Sequence, residues 1–220
     1  MSFIHIKAAN IPQIKKQYPP KVLYKYIPLN YALQLLQDNT LYFSNPTSWK
    51  DRYEKKVILG KWVVNGIKQS YPLKDKIYAT CFTSEYSSEP QWTMYLSNHS
   101  QAKLSEAVEI CFDFDKLRNL LAPQDVYFGQ MKYHRQHELR QYVAACFQSK
   151  VARKAFTSKN PLAKKNIGYL LRPLLFKRKA FAYENEWRLF IDASKLNHSC
   201  LYVPNIKDAI NEIIIDTKNS

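Results

Sequence analysis

The sequence predicts an α+β fold. Short runs rich in β-branched and aromatic residues are typical of strands, and segments with apolar residues at helical spacing are typical of helices. The chain has 220 residues, of which 46% are hydrophobic, and this is enough for a full core. Because neither an internal repeat nor a second domain boundary is evident, we expect one domain over residues 21–220.

The chain begins with a segment that we expect to be an N-terminal arm. Residues 1–20 are polar and basic, and they end in Pro19-Pro20. Residues 22–27 are predicted as the first strand and residues 40–44 as the second. Between them, Asn30 can cap a helix that carries leucines at helical spacing.

The next elements are a strand and a helix that flank a polar turn. The pattern assigns no element between residues 49 and 76, which are rich in lysine. Residues 77–82 are predicted as a strand that opens into Thr83-Ser84, and Pro90 suits the first turn of a helix. Trp92 and Tyr95 lie three apart on that helix and therefore share a face, either in the core or as a stacking surface.

Three further segments show clear periodicity. Residues 108–114 alternate as a strand with one buried face, and residues 126–133 are predicted as another strand with a bulge at Gly129. Residues 135–156 have an apolar stripe at helical spacing and predict one long helix. A helix over residues 166–176 follows, and Pro173 is expected to kink or end it.

The segment around residue 186 is the most informative part of the chain. Residues 183–191 alternate, so a strand would place Glu184, Glu186 and Arg188 on one face and pack the other against the core. Two carboxylates and a guanidinium in this arrangement can carry chemistry or can neutralise each other. A strand near residue 202, a helical turn and a last strand over residues 212–216 complete the prediction.

Charge points to a polyanionic partner. The formal net charge is +15, and residues 150–179 contain no acidic residue. We expect these cations to bind the phosphates of a nucleic acid. The candidate nucleic-acid-binding residues are Lys150, Arg153, Lys154, Lys164, Lys165, Arg172, Lys177, Arg178 and Lys179.

The sequence also predicts the location of the protein, the state of its cysteines and the absence of a metal site. The first residues show no secretory signal and no window approaches a membrane span, so we expect a cytoplasmic protein without membrane partners. The four cysteines are far apart and show no CxxC spacing, which predicts buried thiols. His134 and His137 lack a third ligand at suitable spacing, so no metal site is predicted.

Three motifs together resemble a known family. They are Leu23-Tyr24-Lys25-Tyr26, followed by a helix and Tyr-Phe-Ser-Asn-Pro with Asp51 and Glu54; then Cys81-Phe82-Thr83-Ser84 with Trp92 and Tyr95; and then Tyr-Glu-Asn-Glu-Trp-Arg over residues 183–188. Their order and spacing resemble the bacterial family called domain of unknown function 2971, across residues 22–216. This chain has Lys50-Asp51-Arg52 where that family tends to have Asn-Asp-Pro.

The same order of elements is similar to that of ADP-ribosyltransferases. That resemblance implies mixed and antiparallel sheets that form a cleft, with NAD as cofactor. It assigns Glu186 to the ribose and the transition state and Glu184 to proton transfer from the acceptor. It places the cofactor against Tyr24, Lys25, Ser44, Thr83, Ser84, Trp92, Tyr95 and Arg188, with Lys25 standing where the family usually has Arg or His.

Three functions follow as hypotheses. The first is an NAD-dependent ADP-ribosyltransferase that modifies RNA or single-stranded DNA, as the toxin of a phage-defence toxin–antitoxin system with an antitoxin protein as partner. The second is a nucleic-acid-binding module in which Glu184, Glu186 and Arg188 form a structural ion network. The third is a metal-dependent nuclease that uses Asp51, Glu54 and the two later glutamates.

Overall fold

The computed structural model describes residues 4–6, 20–97 and 107–215. Within these residues, the helices are α1 (Leu29–Asp38), α2 (Arg52–Leu59), α3 (Glu89–Ser97), α4 (Phe114–Leu121), α5 (Gln136–Ala145), α6 (Lys150–Phe156) and α7 (Lys164–Leu171). The strands are β1 (Ile4–Ile6), β2 (Val22–Pro28), β3 (Thr40–Tyr42), β4 (Lys61–Val64), β5 (Ile67–Ser70), β6 (Ile77–Thr83), β7 (Ala107–Asp113), β8 (Val126–Gln130), β9 (Lys132–His134), β10 (Phe176–Arg178), β11 (Glu186–Asp192), β12 (Cys200–Tyr202) and β13 (Ile210–Ile215). The predicted α+β class is confirmed.

A seven-stranded sheet organises the fold. Its order is β1-β8-β11-β6-β2-β7-β13, and the neighbouring strands in it are antiparallel. Strands β3 and β12 form an antiparallel pair, as do β4 and β5, whereas β9 and β10 are parallel. Strand β11 therefore lies inside the large sheet, between two strands that precede it in the chain.

The two faces of β11 pack against different cores. Trp187, Leu189 and Ile191 belong to one core cluster and Phe190 to the other. Since side chains alternate along a strand, Glu186 and Arg188 share the face of Phe190. The predicted separation of apolar and charged faces is confirmed for residues 186–191, but Glu184 precedes the strand in a 3₁₀ helix, Lys179–Glu184.

Several predicted boundaries were wrong. The helix predicted over residues 135–156 is two helices, because Ser149 begins a new one by accepting a hydrogen bond from the backbone N–H of Ala152 at 3.1 Å. Helix α1 begins at Leu29 after Pro28, so Asn30 does not cap it. Strand β7 is buried on both faces rather than on one, because β2 and β13 flank it and helices pack against it.

The strand predicted over residues 126–133 is interrupted at Met131. Its backbone N–H donates to the carbonyl of Glu186 at 2.9 Å, and β9 then turns away to pair with β10. Gly129 lies in regular register opposite Arg188, so it is not a bulge. A Cβ there would come within 2.5 Å of the Leu175 side chain, so glycine is required for the close approach of a neighbouring 3₁₀ helix, Arg172–Leu175.

The N-terminal segment, the cysteines and the length of the helices can be compared with the remaining predictions. Ile4–Ile6, from the segment predicted as an arm, form the edge strand beside β8, and the rest of residues 1–19 lie outside the described residues. All four cysteines are free thiols, but only Cys111 and Cys146 are buried, whereas Cys81 and Cys200 are partly exposed. None of the helices in the described part of the chain has the length and apolar character needed to cross a membrane.

Candidate functional site

A cleft of about 610 Å³ opens where β2, β6 and β11 meet helix α2 and strand β10. We call it the main cleft. Its walls combine aromatic rings, carboxylates and cations, a composition suited to a ligand that has both flat rings and negative charge. The lining residues are Tyr24, Tyr26, Trp49, Lys50, Asp51, Arg52, Glu54, Cys81, Phe82, Thr83, Gln91, Met94, Lys177, Arg178, Phe181, Glu184, Glu186 and Arg188.

Neighbouring strands bring the three predicted motifs together. Glu186 on β11 pairs with Thr83 on β6, and Thr83 pairs with Tyr24 on β2. Lys25 follows Tyr24, but it lines a second cavity that adjoins the main cleft and not the main cleft itself. Segments that are far apart in sequence thus converge because β6 is hydrogen-bonded to both β2 and β11.

Arg188 holds two carboxylates from different elements. Its Nε donates to Glu186 Oε1 at 2.5 Å and its Nη2 to Glu186 Oε2 at 3.1 Å, and Nη2 also donates to Glu54 of α2. Nη1 donates to the carbonyl of Leu174 at 2.9 Å, and the ring of Trp49 lies 4.2 Å from the guanidinium. Arg188 is only 2% exposed, so these contacts replace its water.

Lys177 joins the two glutamates of the last motif. It belongs to β10, and its Nζ donates to Glu184 and, at 2.9 Å, to Glu186 Oε2. Glu184 reaches it because Asn185 takes a left-handed conformation, with φ of 38°, between the 3₁₀ helix and β11. We call Glu54, Lys177, Glu184, Glu186 and Arg188 the ion network.

The carboxylates of the ion network have very different proton affinities. Burial alone would raise the pKa of Glu186, but Arg188 and Lys177 hold it well below its usual range. Burial raises the pKa of Glu184 to about 7, although Lys177 opposes the shift. Burial also raises the pKa of Glu54 against the effect of Arg188. The site therefore combines one permanent anion with a carboxyl group that titrates near neutral pH.

Lys25 lines the second cavity, next to Cys81, which lines both cavities. Its Nζ donates to Thr80 Oγ1 at 2.7 Å and to the carbonyl of Cys81 at 2.9 Å, and it lies 5.0 Å from the centre of the Phe82 ring. Burial lowers its pKa to about 8, although Cys81 and Glu186 oppose the shift. Both of these hydrogen bonds of Lys25 go to uncharged oxygen atoms.

The loop before α2 supplies the opposite wall. Asp51 caps α2 by accepting from the backbone N–H of Tyr53 at 2.6 Å, and it also accepts from Arg178 Nη2 at 3.1 Å. The guanidinium of Arg178 lies between the rings of Tyr53 and Phe181, at 5.0 and 4.8 Å. Arg178 therefore belongs to the cleft wall.

The other predicted cofactor residues are spread more widely. Ser44 lines the second cavity, and its Oγ accepts from Trp49 Nε1 at 3.0 Å. Ser84 directly follows β6, and its backbone N–H contacts the carbonyl of Asn185 at 3.4 Å. Trp92 is buried against the edge of the Tyr26 ring, at 5.1 Å, so it packs behind the cleft. The side chain of Tyr95 lies outside the described residues.

The structure divides the predicted basic tract. Lys177 is buried in the ion network and Arg178 is half-buried against Asp51, so neither lies on an open basic face. The seven other predicted residues are exposed on and around α6 and α7, as is Lys159, and we call these eight residues the basic surface. They are Lys150, Arg153, Lys154, Lys159, Lys164, Lys165, Arg172 and Lys179.

Sequence reasoning did not assign three contributors to the site. Trp49 and the Tyr133 hydroxyl, which accepts from the backbone N–H of Glu186 at 2.7 Å, had no distinguishing signal. Lys177 was assigned to nucleic acid instead. Asp51 and Glu54 were noted, and the capping position of Asp51 could have placed Glu54 in the first turn of a helix.

The arrangement offers little to a metal. Within the described residues, no group of three or more His, Cys, Asp or Glu side chains is placed to hold one. The carboxylates of Glu54, Glu184 and Glu186 instead converge on Arg188 and Lys177. These cations take the positions that a metal-dependent nuclease would need for its ion.

Comparisons with known proteins give one match. The profile of a protein family of unknown function, DUF2971, matches residues 91–189. No curated protein and no solved structure matches the chain. The matched range contains Lys177, Glu184, Glu186 and Arg188, while Lys25 and Glu54 precede it. Over residues 91–189 the resemblance to DUF2971 that the sequence motifs predicted is therefore confirmed.

Proposed function

We propose that the protein is an ADP-ribosyltransferase that uses NAD and modifies RNA or single-stranded DNA. The observation that carries the proposal is that one cleft, beside Tyr24 and Thr83, holds both an ionised Glu186 and a Glu184 whose pKa is about 7. A cytoplasmic toxin restrained by an antitoxin would fit such an activity. That biological setting is part of the proposal.

The composition of the main cleft fits a dinucleotide. Its volume of about 610 Å³ lies within the range of small-ligand sites, roughly 300–1,000 Å³. Tyr24, Trp49 and Phe181 offer rings for stacking, and Lys50 and Arg52 offer positive charge for a pyrophosphate. NAD, when bound, supplies an ADP-ribosyl group whose bond to nicotinamide breaks with the electron pair leaving on nicotinamide.

Glu186 and Glu184 would have separate roles in the reaction. Glu186 is a fixed anion, and a fixed anion favours the positive charge that develops at the ribose carbon in the transition state. Glu184 can take the proton of the acceptor nucleophile as the new bond to that carbon forms. Arg188 and Lys177 would act as positioning residues, because they hold Glu186 in place and keep it ionised.

Radiolabelled NAD and cellular RNA, single-stranded DNA and protein provide the test. We expect transfer to nucleic acid, and we expect Glu186→Gln to lower the rate by about 10²–10³-fold, as loss of transition-state stabilisation does. Glu184→Gln should cost about 10²-fold or more, and the wild-type rate should rise with pH through about 7 as Glu184 loses its proton.

The control is Glu212→Gln on the exposed edge strand β13, which should keep the wild-type rate. Melting temperature and circular dichroism report whether each variant folds. If Glu186→Gln does not fold, Glu184→Gln and its pH profile take its place. Absence of transfer to all three substrates by the folded wild type would refute the proposal.

A non-catalytic nucleic-acid-binding module is the second candidate. It is favoured by the observation that both oxygens of Glu186, which is 4% exposed, already accept hydrogen bonds from Arg188 and Lys177. This module would bind polyanions in a salt-dependent way but would show no rise in melting temperature with NAD. A clear rise would exclude it in favour of the enzyme.

A further inference from the structure

A second cavity of about 400 Å³ adjoins the main cleft. Lys50 and Cys81 line both spaces, so the two cavities adjoin at this wall. The remaining walls come from α1, β3, β6 and the start of β12. Apart from Lys50, none of the residues that line the main cleft and serve the proposed chemistry lines this cavity, so its role needs a separate explanation.

Two exposed tyrosines stand at the cavity. Tyr31 of α1 and Tyr42 of β3 are 40% and 45% exposed, and their rings stack with centroids 5.6 Å apart and planes 30° apart. Stacked aromatic rings that are left open to solvent form a surface on which a further flat ring can stack. The pair is therefore better suited to a ligand than to the core.

Polar groups surround this aromatic surface. Gln34, Thr40 and Ser44 line the cavity and offer both donors and acceptors, which suits the edge of a heterocyclic base. The Lys25 ammonium uses two of its three N–H groups on Thr80 and the Cys81 carbonyl. The third can donate to a ligand at the junction of the two cavities.

We propose that the second cavity holds one unstacked nucleobase of a single-stranded nucleic acid, with Tyr31 and Tyr42 as its stacking surface. A base in a duplex is already stacked and paired, so it cannot enter such a space without being flipped out. The net charge of +15 favours a polyanion over other aromatic ligands. The role of this base as the acceptor rests on the proposed function, whereas its binding does not.

Equilibrium binding of short labelled oligonucleotides, without NAD, tests the proposal directly. We expect Tyr31→Ala and Tyr42→Ala each to weaken binding of single-stranded RNA or DNA by about ten-fold, because one stacked base contributes roughly 1–3 kcal/mol. Affinity for duplex should stay unchanged. Tyr202→Ala is the matched control, since Tyr202 is 61% exposed on β12 and does not line the cavity.

An oligomer of abasic nucleotides sharpens the test because it keeps every phosphate but has no base to stack. The wild type should bind it about ten-fold more weakly than the normal strand, and the double variant Tyr31→Ala, Tyr42→Ala should bind both alike. Equal affinity of the wild type and the double variant for the normal strand would overturn the proposal. So would loss of NAD-induced stabilisation in the double variant with oligonucleotide affinity retained, because the cavity would then belong to NAD.

The outcomes separate this proposal from the enzymatic one. Tyrosine-dependent binding without any ADP-ribosyl transfer would leave the base-binding cavity in place and refute the enzyme. Transfer that is unaffected by the tyrosine variants, with unaffected binding, would refute the cavity and leave the enzyme. Comparison of RNA and DNA of the same sequence shows which of the two the cavity prefers.

Discussion

The ion network and the basic surface place similar cations in opposite environments. Lys177 and Arg188 are buried among three carboxylates, whereas Arg153 and Lys154 of α6 face solvent. A buried charge loses its hydration and must recover that free energy from partners, while an exposed charge keeps its water and is screened by salt. Each buried cation is therefore tied to the fold, whereas the exposed cations remain hydrated at the surface.

The largest expected difference concerns stability. Arg188→Met leaves Glu186 and Glu54 buried without their main cation, and we expect it to lower the free energy of unfolding by about 3–5 kcal/mol. Arg153→Met on the basic surface should change it by no more than about 0.5 kcal/mol. Urea unfolding of the two variants compares them. Similar losses of unfolding free energy in the two variants would show that burial does not determine how much a cation contributes to stability.

The effect of intermediate size is the dependence of the free energy of unfolding on pH. Because the folded protein binds a proton at Glu184 more tightly than the unfolded chain does, this carboxyl adds stability that is fully present below about pH 4.5 and is lost as the pH rises through about 7. Glu184→Gln removes this contribution, so we expect the stability of the wild type relative to the variant to fall by about 1–3 kcal/mol across that range. Urea unfolding at a series of pH values measures it. A difference that stays flat or rises with pH would contradict the assignment.

Substitutions on the basic surface should have the smallest effect on stability and the clearest effect on binding. The double variant Arg153→Gln, Lys154→Gln should unfold within about 0.5 kcal/mol of the wild type. Its salt dependence of single-strand binding should be shallower by about 1.4 in log–log slope, at roughly 0.7 for each lost phosphate contact. Lys61→Gln, Lys68→Gln on the β4–β5 hairpin is the control. An unchanged slope in the α6 variant would show that nucleic acid does not lie there.

Much of the fold was predictable because its strands carry local signals. Strands β2, β6, β11 and β13 follow the β-branched and alternating runs that the sequence shows. The hairpin of β4 and β5 was missed even though Asn65-Gly66, with φ of 54° and 77°, is the dipeptide expected in its turn. The sequence analysis assigned no element to this lysine-rich segment, although the turn dipeptide was present in it.

The site was predictable only in part, because its partners are distant in sequence. Glu186, Glu184 and Lys25 were identified from motifs; the two glutamates lie together in the main cleft, whereas Lys25 lines the second cavity beside it. Nothing local distinguishes Lys177 from the exposed lysines before it, since its burial depends on the parallel pairing of β10 with β9. Glu54 and Arg188 are 134 residues apart, so their contact follows from the tertiary fold alone.

The position of β11 has a consequence for how the molecule is assembled. It is inserted between β8 and β6, both of which are synthesised before it. Until β11 enters, β1 and β8 are separated from β6, β2 and β7, so the large sheet consists of two unconnected parts with open edges. The strand that carries Glu186 and Arg188 is thus also the one that joins these parts. Entry of β11 therefore joins the two parts of the sheet and also brings Glu186 and Arg188 to the ion network, whereas the edge strand β13 follows later in the chain.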